Sequence, residues 1–513
     1  MKIMKTNIRN CGVLLHPTSL PSRHGIGNLG DKAMAFIDTL KKMDITLWQI
    51  LPLGPTGYGD SPYAARSTFA GNELLIDLNT LSCEGYLTLE QVLQDPFDTN
   101  QRVDYEKVRE FKEPLLSQAA ENFIAERSEE ESKSYEEFLK SSAYWIDDYA
   151  LYSVLCDVYG DSRWFEIWDE KVKIRDPKEI AKLTKKYKKE IEVVKVLQYF
   201  FAKQWQNVKS YANENGIKII GDVPIFVAPD SVDAWTHPEL FKMDEDYHQI
   251  YSSGVPPDAF SSEGQLWGNP VYDWDVHKQT EFNWWAKRIG GVLNNCDIIR
   301  IDHFRGLSAY WEVKAGSENA MIGEWVPSPG QDLLDVLKKE FGELPIIAED
   351  LGIITDDVEE LRDSNNLPGM KILQFAFGFN DEGNFDSKNA YLPHNCIENS
   401  VVYTGTHDND TTRGWFDKLD EATKDVVRRY FESSNEEIVW KMMRATLMSN
   451  SRWAIFPIQD FLELDSSARM NVPSTCGTSN WSWRLSSLDF ENWRCDRLHD
   501  AILRFGRDGK KSN

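Results

Sequence analysis

Four apolar runs in this chain each end in a carboxylate: IIGDVP at Asp222, IIRIDHF at Asp302, PIIAEDLG at Glu349 and VVYTGTHDND at Asp408. A short apolar run marks a strand buried on both faces. A charge is costly to bury there, so it belongs where the strand emerges into a loop. Acids gathered at one mouth suit the cleavage of a glycosidic bond, which needs an ionised carboxylate and a protonated carboxylic acid about 5–5.5 Å apart for a retaining reaction. Arg300 precedes Asp302 by two residues, so both side chains fall on one side of a strand, and the guanidinium favours the ionised carboxylate. Glu349 has no adjacent cation, and a neighbouring carboxylate would raise its pKa, as a general acid requires. Asp408, after His407, is placed to stabilise positive charge growing on a sugar ring. Taken singly, each motif is more often a structural ion pair or a satisfied core histidine than a catalytic group. The joint pattern is what points to chemistry.

Other chemistries fit less well. Metal-dependent hydrolysis also uses Asp, Glu and His at barrel mouths, but wants converging imidazoles. Here His303 and His407 each adjoin an acid, and His16 and His24 do not form a paired motif. No metal site is expected. The run Gly25-Ile26-Gly27-Asn28-Leu29-Gly30 matches G-x-G-x-x-G literally, but no ribose-binding acid follows, so these glycines read as loop formers. A net charge of −25 disfavours nucleic acid and anionic membranes as partners. A neutral, hydroxyl-rich ligand carries no such penalty. The seven cysteines are odd in number and scattered, without a C-x-x-C pair. With no secretory h-region and no apolar stretch of roughly 18–20 residues, the expected compartment is a reducing cytoplasm.

The elements that must position the acids are eight predicted buried strands: Val13–His16, Leu47–Leu53, Lys218–Asp222, Asp297–Asp302, Pro345–Glu349, Met370–Phe375, Ser400–Thr406 and Trp453–Ile458. Helical stretches, among them Lys32–Met43, Asn283–Leu293, Gln331–Glu340 and Glu436–Met448, separate several of them. That alternation predicts an α/β fold, a (β/α)8 TIM barrel with large, mainly helical insertions. Residues 1–513 read as one catalytic barrel unit. Residues 54–213 form a mainly helical insertion subdomain between strands two and three, and 224–296 and 306–344 form smaller loop insertions at the mouth. Within the large insertion, residues 177–205 read as one long helix. Gly254–Pro270 reads as a loop able to close over an intermediate.

The blocks GVLLHPTSLPSRHGIGNLG, WQILPLGPTGYGDSPYAARSTFAGN, GDVPIFV, GVPPDAFSSEGQLWGNPVYDW, IIRIDHFRG, IIAEDLG, TGTHDNDTTRGW and RMNVPSTCGTSNWSWR run in order along the chain. Together they resemble the amylomaltase, or 4-α-glucanotransferase, family (glycoside hydrolase family 77), over nearly all of the chain except the helical insertion. The resemblance implies a (β/α)8 barrel that moves α-1,4-glucan segments between malto-oligosaccharides, starch or glycogen-derived glucans, by retaining double displacement without metal or organic cofactor. It implies Asp302 as nucleophile, Glu349 as general acid/base and Asp408 as transition-state stabiliser. It further implies that Asp222, Arg300, His303 and His407 surround the cleaved sugar, and that Ser61, Tyr63, Asp258, Gln265, Trp267 and Asn471 contact substrate. Ser474 stands where some relatives carry Gly, which bears on the balance of transfer and hydrolysis. An amylase-like hydrolase and a non-catalytic glycan-binding protein are the alternative functions.

Overall fold

Eight apolar segments pair side by side as parallel strands and close on themselves. In the computed structural model, which describes residues 8–98, 101–257, 261–380 and 382–510, twelve strands run in chain order. They are β1 (Asn10–Leu14), β2 (Leu47–Gln49), β3 (Lys218–Pro224), β4 (Tyr251–Val255), β5 (Gln265–Pro270), β6 (Ile298–Asp302), β7 (Ala309–Lys314), β8 (Glu324–Pro327), β9 (Ile346–Ala348), β10 (Gly369–Ile372), β11 (Ser400–Tyr403) and β12 (Trp453–Pro457). The closed barrel has the order β1-β12-β11-β10-β9-β6-β3-β2. All eight sequence-predicted strands take part, and the fold is the (β/α)8 barrel expected. Their side chains are buried on both faces because the barrel interior fills one side and helices cover the other. In β12 every residue is buried.

The remaining four strands correct the reading of residues 224–296 and 306–344 as loops. These segments contribute β4, β5, β7 and β8 to one antiparallel sheet of order β5-β4-β7-β8. Within the stretch Gly254–Pro270, Gly254 and Val255 of β4 pair antiparallel with β5, Gly254 opposite Leu266. Gly, Pro and Ser made this stretch look like loop, yet Gly254 sits where a Cβ would lie 2.4 Å from the Gln265 carbonyl oxygen. The glycine is there for close backbone approach in a sheet. The end of the first segment, Asn283–Asn295, is a helix packed on β3 and β6.

Between β2 and β3 the described residues form nine helices of the α type, the longest being Lys188–Glu214. The single helix expected over 177–205 is two, Pro177–Lys186 and Lys188–Glu214, broken at Tyr187. No Pro or Gly marks the break. The Lys186 ammonium donates to the Tyr187 hydroxyl and lies 4.4 Å from that ring's centre. The Gly25–Gly30 segment is a packed loop: Gly27 donates its N–H to Thr18 O, and a Cβ on Gly27 would come within 1.9 Å of Pro17 O. Among the described residues no helix is long and apolar enough to cross a membrane.

The barrel's first and last strands are tied together by Arg507, whose side chain is fully buried. Its guanidinium donates to the carbonyls of Leu447 (2.7 Å), Thr446 (3.2 Å) and Ser449 (3.0 Å) at the end of the helix Ile438–Met448. A cation there satisfies the unpaired carbonyls of the last turn and opposes the helix dipole. Arg507→Ala is expected to destabilise the fold by about 3–5 kcal/mol, because several buried carbonyls lose their donor at once. Urea unfolding with an unchanged m-value checks this; a loss below about 1 kcal/mol would contradict it.

Candidate active site

β3 and β6 lie in register, with Asp222 opposite Arg300 and Pro224 opposite Asp302. That pairing brings two acids and one guanidinium to the same point of the barrel mouth. Arg300 donates through one terminal nitrogen to both Asp222 oxygens at 2.8 Å, and through the other to Asp302 Oδ1 at 2.7 Å. Asp222 and Arg300 are buried, whereas the Asp302 side chain keeps 31% of its surface open to the cleft. Burial opposes the charge on Arg300, but Asp222 and Asp302 raise its pKa well above the ordinary value. The guanidinium is a permanent charge holding the exposed carboxylate in one orientation.

Glu349 follows β9 directly. Its Oε2 accepts the His303 backbone N–H at 2.6 Å, and its Oε1 accepts the Leu351 N–H at 3.1 Å. His303 adopts the left-handed backbone conformation, φ 52°, and from that turn its N–H reaches the carboxyl. Burial, then the charge of Asp302, push the Glu349 pKa up to about 8 against the opposing influence of Arg300. The His303 ring is itself buried and held down to about 4 by that burial, so it stays neutral. Trp267 stands edge-to-face against it, with ring centres 4.7 Å apart, and donates its indole N–H to Gln265 Oε1 at 3.3 Å.

Asp408 lies five residues beyond the end of β11. Asn471 donates to its Oδ1 at 2.7 Å, and His407 Nε2 lies 3.4 Å from its Oδ2. Burial opposes its ionisation, but His407 and then Asn471 outweigh it and hold the carboxyl well below the usual range. Tyr63 donates its hydroxyl to Asp222 at 2.7 Å and stacks on His407 with ring centres 5.1 Å apart. Tyr63 thereby links the Arg300 network to the Asp408 loop. Ser61 Oγ accepts the Tyr63 N–H at 3.2 Å and shapes that turn.

The structure thus joins Asp302, Asp222, Arg300, Tyr63 and His407 with Glu349, His303, Asp408, Asn471, Trp267, Gln265 and Ser61 in a connected set. Asp222 stands within β3, not at its end, and acts as the buried partner of Arg300. Asp258 lies outside the described residues. Three contributors escaped the sequence reading. Trp481 packs against Tyr63 and His407. Arg469 donates to the backbone carbonyls of Asp408 and Asn471. Buried His16, held down to about 3 by burial and then by His407, accepts the Leu51 N–H. Their only signal was position inside the motif blocks. Among the described residues no group of three or more His, Cys, Asp or Glu could hold a metal ion.

A partly exposed carboxylate fixed by arginine, a carboxyl pushed up to about 8 and a third acid held well below the usual range match what cleavage of a sugar bond requires. The 4-alpha-glucanotransferase profile of glycoside hydrolase family 77 matches residues 15–489. A 4-alpha-glucanotransferase of Synechocystis is 45% identical over 503 residues, covering 97% of this chain and 98% of the relative. A chloroplastic/amyloplastic 4-alpha-glucanotransferase of Arabidopsis thaliana is 42% identical, covering 97% and 86%. The solved amylomaltase of Streptococcus agalactiae, in complex with acarbose, superposes with a TM-score of 0.92 at 40% identity, covering 97% of this chain and 99% of that one. The chain belongs to the 4-alpha-glucanotransferase family of glycoside hydrolases, and it is an enzyme of that type.

Proposed function

We propose that this enzyme moves α-1,4-glucan segments between malto-oligosaccharides by two inverting displacements at one anomeric carbon, with Asp302 as nucleophile and Glu349 as acid, then base. Asp302 Oδ attacks the anomeric carbon while the Glu349 proton passes to the departing O4. The glycosidic bond breaks and a covalent glucosyl ester forms. The shorter glucan leaves, the 4-hydroxyl of a second glucan enters, and Glu349 takes its proton as the oxygen displaces Asp302. Asp408 accepts hydrogen bonds from ring hydroxyls as the sugar gains oxocarbenium character. Tyr63, Trp267, Gln265, Ser61, His303, His407 and Asn471 are assigned to contact the sugars on either side, and Asp258 is assigned with them from its sequence block.

The observation that carries this reading is the Arg300 bridge. One buried guanidinium grips Asp222 and Asp302 together, leaving Asp302 open to the cleft beside a carboxyl that keeps its proton at neutral pH. The acarbose bound to the related amylomaltase supports a glucan-like ligand in this cleft. The cysteines are all free and five are buried, which fits a reducing compartment, and we assign the enzyme to the cytoplasm on that basis.

Transfer and hydrolysis share the first displacement and differ in what occupies the acceptor side. Incubation with maltotriose alone separates them. Transfer yields glucose together with maltopentaose and longer chains; glucose and maltose without longer products would overturn the transferase reading in favour of an amylase-like hydrolase.

A further inference from the structure

Glu349 and Asp350 are neighbours with opposite surroundings. Glu349 points to the turn after β6, where its Oε2 accepts the His303 N–H at 2.6 Å. Asp350 turns away, its side chain only 2% exposed, into the seam between β9 and β10. That seam is thinly joined. β9 and β10 meet at a single register pair, Ala348 opposite Gly369, whereas β10 and β11 stay in register from Gly369 to Ile372. Where the next ladder bond would fall, the Met370 N–H donates instead to Asp350 Oδ1 at 2.7 Å. The other Asp350 oxygen accepts from Arg362 at 2.5 Å, on the helix Asp356–Ser364 that follows β9. Arg362 is 8% exposed and also donates to Asp363 at 2.7 Å. Gly369 completes the fit, since a Cβ there would lie 2.3 Å from an Asp350 oxygen.

This carboxylate replaces a strand ladder at the point where the chain must turn outward. The turn matters because the Leu351 N–H, one residue beyond Asp350, donates to Glu349 itself. We propose that Asp350, clamped by Arg362 and the Met370 N–H, is the positioning residue of the acid/base: it fixes the turn that aims Glu349 and places a fixed negative charge beside it that helps hold the proton. The assignment rests on Glu349 being the acid/base. The charges facing Glu349 are Asp302 and Arg300 from β6 and Asp350 from its own turn; the Tyr391 phenol interacts with both Glu349 and Asp350, and Lys371 on β10 acts on Asp350. Asp350 raises the Glu349 pKa in the same sense as Asp302 does.

Two variants and two donors test this. Asp350→Asn keeps the size and a carbonyl acceptor for Met370 N–H but removes the charge. With maltotriose it is expected to lower kcat/KM about 10- to 100-fold, mostly through kcat. The alkaline limb of its pH profile is expected to move down, because a negative neighbour is gone. Asp350→Asn/Arg362→Gln also removes the stranded cation, so the limb is expected to return part of the way, and this variant buries no unpaired charge should the single one fold poorly. With α-maltotriosyl fluoride, whose leaving group needs no proton, the initial burst of fluoride from Asp350→Asn is expected to stay within roughly threefold of the parent. An unmoved limb in both variants, or a fluoride burst falling in parallel with maltotriose turnover, would show Asp350 to be a structural anchor only. Failure of the underlying reading has a different signature: Glu349→Gln would then keep its maltotriose turnover.

Discussion

Asp302→Asn loses essentially all glucan transfer: kcat/KM for maltotriose is expected to fall on the order of 10^4-fold, equivalent to about 5 kcal/mol of transition-state stabilisation. The amide nitrogen is no nucleophile, and its remaining oxygen carries no charge to attack the anomeric carbon. The fold should survive. Asp302 is the partly exposed member of the Arg300 bridge, and Asp222 still accepts two hydrogen bonds from the same guanidinium. Thermal unfolding should therefore change little, and glucan binding, read by protection against unfolding, should persist. A glycan-binding scaffold would show no turnover to lose. Retention of more than about one hundredth of the parent activity would exclude Asp302 as the nucleophile.

Glu349→Gln is expected to split the two half-reactions. Cleavage of maltotriose, whose leaving oxygen must be protonated, should fall about 10^3-fold. Attack on α-maltotriosyl fluoride should continue, so the covalent ester forms and then persists, because its removal needs the missing base. The parent enzyme's kcat/KM should fall off on the alkaline side near pH 8, where Glu349 loses its proton. A stability effect of opposite sign accompanies the activity loss. Burial and Asp302 raise the carboxyl from its ordinary 4.5 to about 8 in the folded protein. Folding therefore takes up a proton between those values, and the parent loses stability as pH rises through that window. Gln carries no such penalty. Relative to the parent, the variant should gain stability from about pH 4.5 to pH 8, with a constant margin above. Unfolding curves across that range check it, and a margin that does not change with pH would contradict the burial argument.

The barrel was legible in the sequence because its strands are buried on both faces, which leaves unbroken apolar runs such as VVY and AIF. The acids were legible for the complementary reason, since a charge abutting such a run must mark its exit. The four-stranded sheet was not legible. Its outer strands β5 and β8 are only partly buried, and Gly254 and Pro270 mimic turn chemistry although close strand approach and strand ends explain them. The break at Tyr187 was equally silent, because the lysine-rich stretch around it favours helix on both sides and holds no Pro or Gly. Asp222 read as one more exposed acid, yet the register of β3 with β6 makes it the buried half of an ion pair. Register depends on pairing across 78 residues of sequence, and no local pattern encodes it. Trp481 and Arg469 enter the site through folding of the last hundred residues over the mouth, so only the resemblance of whole motif blocks pointed to their neighbourhood.

Retaining transfer requires a covalent bond between Asp302 and the transferred sugar. Glu349→Gln mixed briefly with α-maltotriosyl fluoride, acid-quenched and analysed by intact-protein and peptide mass spectrometry, tests it directly. The predicted result is a single maltotriosyl adduct on the peptide that contains Asp302, absent when Asp302 is also replaced by Asn. Rapid fluoride release with no adduct on the protein, or an adduct on a peptide bearing Glu349 or Asp408 instead, would contradict it.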